Sequence, residues 1–446
     1  MRRRRLASAI LVVIVLAAAP AARAAFAPPI ELARGDFSLG IAAATDAAGA
    51  TTAILIGASG KRLLQRPSSS APWPALTELP GDLGTPAGPV IAAAGRGAVA
   101  AAWRLDRPRR YQAIAAMAAD PGGALGAPVV VSGADGNGVR HPAIAVGADG
   151  DAVLAYNTNT RAVHLSLRGG IAISLRARGR SFAAPVVVDA KPSLAPAAAI
   201  ADDGRGIVAW VRDRRVWAVS VDAVAGTVGK RVPLTAGGSH DGLAVTAGPD
   251  GAATVSWSSR RRGHYEILAL HRAARPATFP RTAQTVVRLR ARGFLADARM
   301  AADETGATTI AWAAETFGRA PSVGVNGVTA GVYVSRLQQN TGRFARPKTL
   351  FPDAKHNCLS LNVAARAGRT AVAFECLDRR TATVYVATPR LTPVLSEPVD
   401  ARAFQPAIPI TLGLDTSGTT TITTIPNTPP TPSEPGTRRL LATTGR

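Results

Sequence analysis

Arginine recurs in short runs at one fixed place in the sequence pattern. Six segments carry it: RLDRPRR (104–110), NTNTR (157–161), VRDRR (211–215), SSRRRGH (258–264), ECLDRR (375–380) and TRR (437–439). The guanidinium is planar, always charged, and offers a fork of donors that matches carboxylate, phosphate or sulfate. Gathered on one surface, Arg104, Arg107, Arg109, Arg110, Arg161, Arg212, Arg214, Arg215, Arg260, Arg261, Arg262, Arg379 and Arg380 would bind an anionic ligand and set up a strong positive field. Asp106, Asp213 and Asp378 lie inside the same runs, so local Arg–Asp pairing is the competing use.

The charge balance points the same way. Only 18% of residues are charged, yet the formal net charge is +23. Without Arg2–Arg5 and Arg23 it is still +18. Such an excess favours polyanions, membrane surfaces or acidic glycans. A general preference for arginine on every surface would give the same number. No HExxH, GxSxG, Walker loop, contextual GxGxxG or CxxC occurs, so nucleophilic, nucleotide and zinc chemistry have no motif here. No cofactor and no metal are expected.

The elements that must position these arginines follow from a repeat. A short apolar run, a turn ending in Gly and a second apolar run are followed by an aromatic six residues after the Gly. The pairs are Gly97 and Trp103, Gly150 and Tyr156, Gly204 and Trp210, Gly251 and Trp257, Gly306 and Trp312, Gly368 and Phe374. Gly49 with Leu55 and Gly418 with Thr424 are degenerate copies. Successive glycines are 47 to 62 residues apart. Each unit reads as a β-hairpin whose Gly accepts a positive φ, with an aromatic late in the second strand. Third and fourth runs follow, such as RRVWAVSV (214–221) and FAAPVVVD (182–189). Four strands per repeat of this length are the signature of a β-propeller blade. Eight blades are expected, or seven if one degenerate copy does not form a whole blade. The last repeat lacks a fourth run, and FAPPIEL (26–32) is expected to supply it and close the ring. Residues 161–178 hold two strand-like runs, and either could be the third strand of its repeat.

In such a blade, the loops before strand one and between strands two and three share a face. The arginine runs fall in the second set. The first set carries Asp36, Asp82, Asp135, Asp189, Asp241, Asp297, Asp353 and Asp400, with His141, His240 and His356. Turn chemistry explains those aspartates better than metal binding. The turns of the opposite face, at Asp46, Asp303 and Asp415, read as plain hairpin turns.

Compartment is read from the first residues. Arg2–Arg5, the apolar run Leu6–Ala19 and Ala22-Arg23-Ala24 form a signal peptide over 1–24, leaving a single propeller domain over 25–446. A secreted or extracytoplasmic protein without a transmembrane segment after cleavage is expected. Cys358 and Cys376 flank the hairpin turn before Gly368 symmetrically, so a disulfide with Cα atoms about 5.5 Å apart is expected.

The pattern P-x-h-A-x-(turn)-G-x-x-x-x-x-W followed by F-x-x-P resembles secreted bacterial propellers of the sialidase-type superfamily. The sialidase Asp box, S-x-D-x-G-x-T-W, is absent: here the aromatic follows Gly by six residues rather than three. The resemblance implies a site with three arginines around a carboxylate, a Tyr–Glu nucleophile pair and an acidic Asp. Tyr156, Tyr265 and several aspartates are present, but no motif assigns them. The expectation is a non-catalytic, monomeric propeller that binds an anionic or glycan ligand, or a cell-surface protein, without specific nucleic-acid recognition. A sialidase-like glycoside hydrolase and a scaffold without a small-molecule site are the alternatives.

Overall fold

The computed structural model describes residues 26–35, 40–57, 60–79, 85–93, 97–106, 112–132, 139–163, 166–261, 263–274, 278–289, 293–316, 328–352, 357–377, 381–388, 390–398, 410–417, 419–424 and 438–445. It is an all-β propeller of eight antiparallel sheets, with no α-helix among the described residues. In each sheet the strands lie side by side in chain order, except that in blades four and six the outer edge is split, Val232–Pro233 and Lys348–Phe351 each pairing with the third strand, and that the eighth draws on both ends of the chain. That blade is ordered Ile410–Leu414, Thr420–Thr424, Arg438–Gly445 and Ile30–Gly35, the last two antiparallel with Ile30 opposite Ala442. Blades eight and one also touch at their turns. Ser69 Oγ donates to Asp415 at 2.8 Å, and the Thr416 N–H donates to the Ala47 carbonyl at 3.0 Å. The expected signal peptide, 1–24, lies outside the described residues.

The repeat glycines take the left-handed conformation that the hairpin turns require. Gly49, Gly97, Gly150, Gly204, Gly251, Gly306 and Gly368 have φ between 73 and 96°. Gly418 lies outside the described residues.

Each blade's aromatic packs onto the blade before it. Trp103 sits among Ile54, Ile56 and Leu63 of blade one, and Tyr156 among Ala102, Ile114 and Ala116 of blade two. Trp210 meets Val153, Ala155 and Ile173 of blade three, and Trp257 meets Ile207, Ala209 and Leu234 of blade four. Trp312 and Phe374 repeat this on blades five and six. Six of the eight joints are thus glued by one large side chain each, all nearly fully buried.

The same aromatics sit opposite a recurrent bulge. In five inner strands, pairing skips the aromatic's position and places two residues there: Gly88 and Pro89 against Trp103, His141 and Pro142 against Tyr156, Gly242 and Leu243 against Trp257, Asp297 and Ala298 against Trp312, and Ser360 and Leu361 against Phe374. His141, Gly242 and Ser360 take φ of 50, 57 and 52° there. The bulge bends the inner strand, and pairing resumes on its far side.

The third strand of blade three is Ser166–Arg176, paired along a long hairpin with Ala152–Val163. The first of the two runs in 161–178 is therefore divided between the strand that ends at Val163 and the one that begins at Ser166, and the second lies in the third strand up to Arg176. In blade seven Cys358 is directly opposite Cys376 and the two form a disulfide. Their Cα atoms are 4.0 Å apart. That is closer than expected and nearer the ~4.5 Å of a non-hydrogen-bonded pair.

Candidate ligand-binding site

The structure sorts the expected arginines into different fates. Arg107, Arg109, Arg110, Arg262, Arg379 and Arg380 lie outside the described residues. Arg104 is half-buried at the end of its strand, and Arg161 and Arg261 lie on the strands Ala152–Val163 and Ala253–Arg261. Arg260 is exposed, with its guanidinium 5.4 Å from the Tyr265 ring centroid.

Arg212 is drawn into the core. It is 7% exposed, and its Nη1 donates to Asp189 Oδ2 at 2.7 Å. Asp213 lies 3.2 Å from its Nε. Its guanidinium also stacks 4.1 Å from the Trp217 ring centroid. An arginine expected to face a ligand is thereby neutralised by Asp189, which the structure places not in a loop but on the fourth strand of blade three, Val186–Ser193. Local pairing prevails here because Asp189, at 1% exposure, would otherwise be an unpaired buried charge.

Arg214 and Arg215 behave differently. Asp213 and Arg214 form a two-residue turn with φ of 49 and 59°, the twist that a tight hairpin demands. That turn throws Arg214 outward and leaves Arg215 exposed at the start of the third strand, Arg215–Asp222. Arg215 Nε donates to the Ala236 carbonyl at 3.0 Å, which fixes its head beside the fourth strand.

There Arg215 opens a groove of about 790 Å³ between blades four and five. A volume of this size suits a small ligand or a stretch of a chain. Blade four lines it with Ile207, Ala218, Val219, Val232, Pro233 and Leu234, and blade five with Phe279 and Pro280. Arg215, Lys230, Arg272 and Arg281 supply the charge, and among the described residues no carboxylate lines the groove.

The cations lie at the groove's two ends. Arg215 begins the third strand, and Ser220 is five residues further, about 16 Å at ~3.3 Å per residue. Lys230 is level with Ser220, since the Gly229 N–H donates to the Ser220 carbonyl at 2.9 Å. Arg272 Nη1 donates to Ser220 Oγ at 3.1 Å, and its Nε and Nη2 donate to the Gly251 carbonyl at 3.1 and 2.8 Å. It is held rigidly over the Phe279 ring, 5.0 Å from the centroid. Arg281 precedes the strand Gln284–Leu289, whose first residue pairs with Ala269 near the Arg272 end.

Arg272 belongs to a set that the sequence pattern did not single out. Arg66, Arg176 and Arg336 also stand at or near the ends of third strands and donate to turn carbonyls: Ala71 at 2.8 Å, Gly150 at 2.5 Å and Gly368 at 3.0 Å. An arginine at or near the end of these four third runs was the available signal. These arginines brace the turn face, not the loop face, and part of the positive charge is spent there.

The aspartates of that turn face cap their own turns. Asp46 Oδ1 accepts the N–H groups of Ala48 and Ala50, both at 2.8 Å, and Asp303 Oδ1 accepts those of Thr305 and Ala307 at 3.0 and 3.1 Å. Burial pushes the Asp415 carboxyl up, but hydrogen bonds from Ser417, Ser69 and Thr419 outweigh it and hold it below the ordinary range. Tyr156, which a sialidase-like site would need ionisable, is the packed aromatic of its blade. Burial pushes its phenol up to about 12.

No protein-family model matches the sequence, and no curated protein matches it. Solved structures similar to the chain include a protein of unknown function from Dyadobacter fermentans, at 12% identity over 67% of this chain and 92% of that one, TM-score 0.43. A lectin from Burkholderia pseudomallei is similar at 14% identity, over 80% and 98%, TM-score 0.46. A Hadza microbial sialidase is similar at 11% identity, over 76% and 71%, TM-score 0.37. Likenesses at this level say nothing of activity, and the fold rests on the strand pairing itself.

Proposed function

We propose that the protein is an exported, non-catalytic propeller that binds an anionic ligand in the groove between blades four and five. The observation that carries this reading is the lining: among the described residues, four cationic side chains and no carboxylate beside an apolar strip. Three of the four cations, Arg215, Lys230 and Arg281, are exposed, so a ligand can reach them. A sialidase-like hydrolase would need a carboxylate pair or a Tyr–Glu couple among these cations, and the described residues of the groove's lining include neither. Export is supported by the signal-peptide pattern of residues 1–24 and by the disulfide, a bond that persists in oxidising compartments. Among the described residues, no helix is long and apolar enough to cross a membrane.

The test is retention of the mature protein on heparin at about 0.15 M salt, where exposed charges are screened beyond ~8 Å. The wild type should be retained, and the triple variant R215A/K230A/R281A should elute at clearly lower salt. Identical elution of the two would remove the groove from consideration.

A further inference from the structure

We infer that the ligand of this groove is a linear acidic glycan, gripped at two points along its length rather than by a single anionic group. This rests on the reading of the groove as an anion site. The two ends of the groove are cationic, Arg215 at one and Lys230 with Arg281 at the other. They are separated by about 16 Å of strand at ~3.3 Å per residue. Between them the walls are apolar: Val232, Pro233 and Leu234 on one side, Phe279 and Pro280 on the other. A lone phosphate or sulfate would engage one end and leave the strip unused. A fatty acid would fill the strip and use one end.

A chain of uronic acid residues matches both features. Its carboxylates recur along the polymer and suit the guanidinium fork, and the C–H faces of its pyranose rings lie against proline and aliphatic carbon. Single-stranded nucleic acid also carries repeated anions, but it is held by bases stacking on open aromatic faces. Phe279, the aromatic of the groove, has the Arg272 guanidinium over its ring instead. Arg272 itself is committed to Gly251 and Ser220, so it shapes the end wall and fixes Phe279.

The experiment is calorimetric titration of the mature protein with oligogalacturonates of one to six residues. Tripolyphosphate, uncharged cellohexaose and an oligothymidylate of matching length serve as comparison probes. Two-point engagement makes the second contact intramolecular, so the hexamer should bind more than about tenfold tighter than the monomer. R215A and K230A/R281A should each reduce the hexamer's affinity to near that of the monomer. All three side chains are exposed, and melting temperatures, with R215Q as a second variant at that end, check that the fold is kept. If the monomer or tripolyphosphate binds as tightly as the hexamer, the groove is a single-anion site and this inference fails while the proposed function stands. A preference for oligothymidylate over the uronate hexamer overturns the glycan assignment. If no anion binds, or cellohexaose binds as well as the charged hexamer, both readings fall.

Discussion

Asp189 and Arg212 form a buried ion pair across the joint between blades three and four, with Oδ2 and Nη1 2.7 Å apart. The same carboxylate accepts the Trp210 indole N–H at 3.0 Å and the Lys191 amide at 3.1 Å, and Arg231 approaches its other oxygen at 3.3 Å. A charge removed from water this completely is tolerated because every partner is in place. Removing one should therefore cost more than removing both. D189A should lower unfolding stability in urea by about 3–5 kcal/mol, and D189L/R212M by much less. Equal losses would mean that Arg212 finds another partner or reaches solvent.

The aromatic joints predict a loss that is displaced along the chain. W257A removes a ring that packs on Ile207, Ala209 and Leu234 of blade four. It should cost about 3–5 kcal/mol. Hydrogen exchange should show protection falling in the strand Arg205–Arg212 of blade four more than in the strand Thr308–Thr316 of blade six.

The disulfide closes a loop of 18 residues in blade seven. C358S/C376S should lose about 2–4 kcal/mol by the loop-entropy estimate. The change should appear as an earlier urea midpoint with little change in slope.

Histidine sets an acid-side limit on stability. Burial holds the His271 imidazole below its ordinary 6.5, with Nδ1 3.0 Å from Thr254 Oγ1. The unfolded chain takes up a proton near that pH while the fold still resists it, so stability falls as the pH drops through 6.5. His141 shifts the same way, through burial first and then the neighbouring Arg140 and Arg104. Melting temperature should fall between pH 7 and 5 more steeply in the wild type than in H271Q, and least in H141Q/H271Q. Parallel curves for all three would show that neither imidazole carries the effect.

Outside the groove, arginine should matter little. Arg260 is exposed and rests near Tyr265. R260A should leave heparin elution within error of the wild type, in contrast to R215A.

What was legible in the sequence was whatever repeats. Gly204 and Trp210, or Gly251 and Trp257, recur because a positive φ and a large ring at the joint are needed in blade after blade. The blade count and the Cys358–Cys376 pairing followed from the same spacing. The bulge opposite five of the aromatics was not legible, because different residue pairs, such as His141-Pro142 and Ser360-Leu361, serve it equally well. Arg212 and Arg215 read alike, three residues apart in one polar run. Their fates diverge because Asp189, distant in sequence, reaches one and not the other. The groove was invisible for a similar reason. Phe279 and Arg281 belong to a connection of blade five that lies against the fourth strand of blade four, and Lys230 joins them only through that overlap.

The direction in which the aromatics point has a consequence for how the chain comes into being. Trp210 completes blade three and Trp257 completes blade four, each arriving with the second strand of the following repeat. During synthesis the newest finished sheet therefore always shows one greasy side to its surroundings until some twenty further residues have emerged. Arrest at any length leaves that side uncovered, together with the side of blade one that packs with Leu32 of the last blade. A helper would have to shield both ends of the unfinished ring until the last blade arrives.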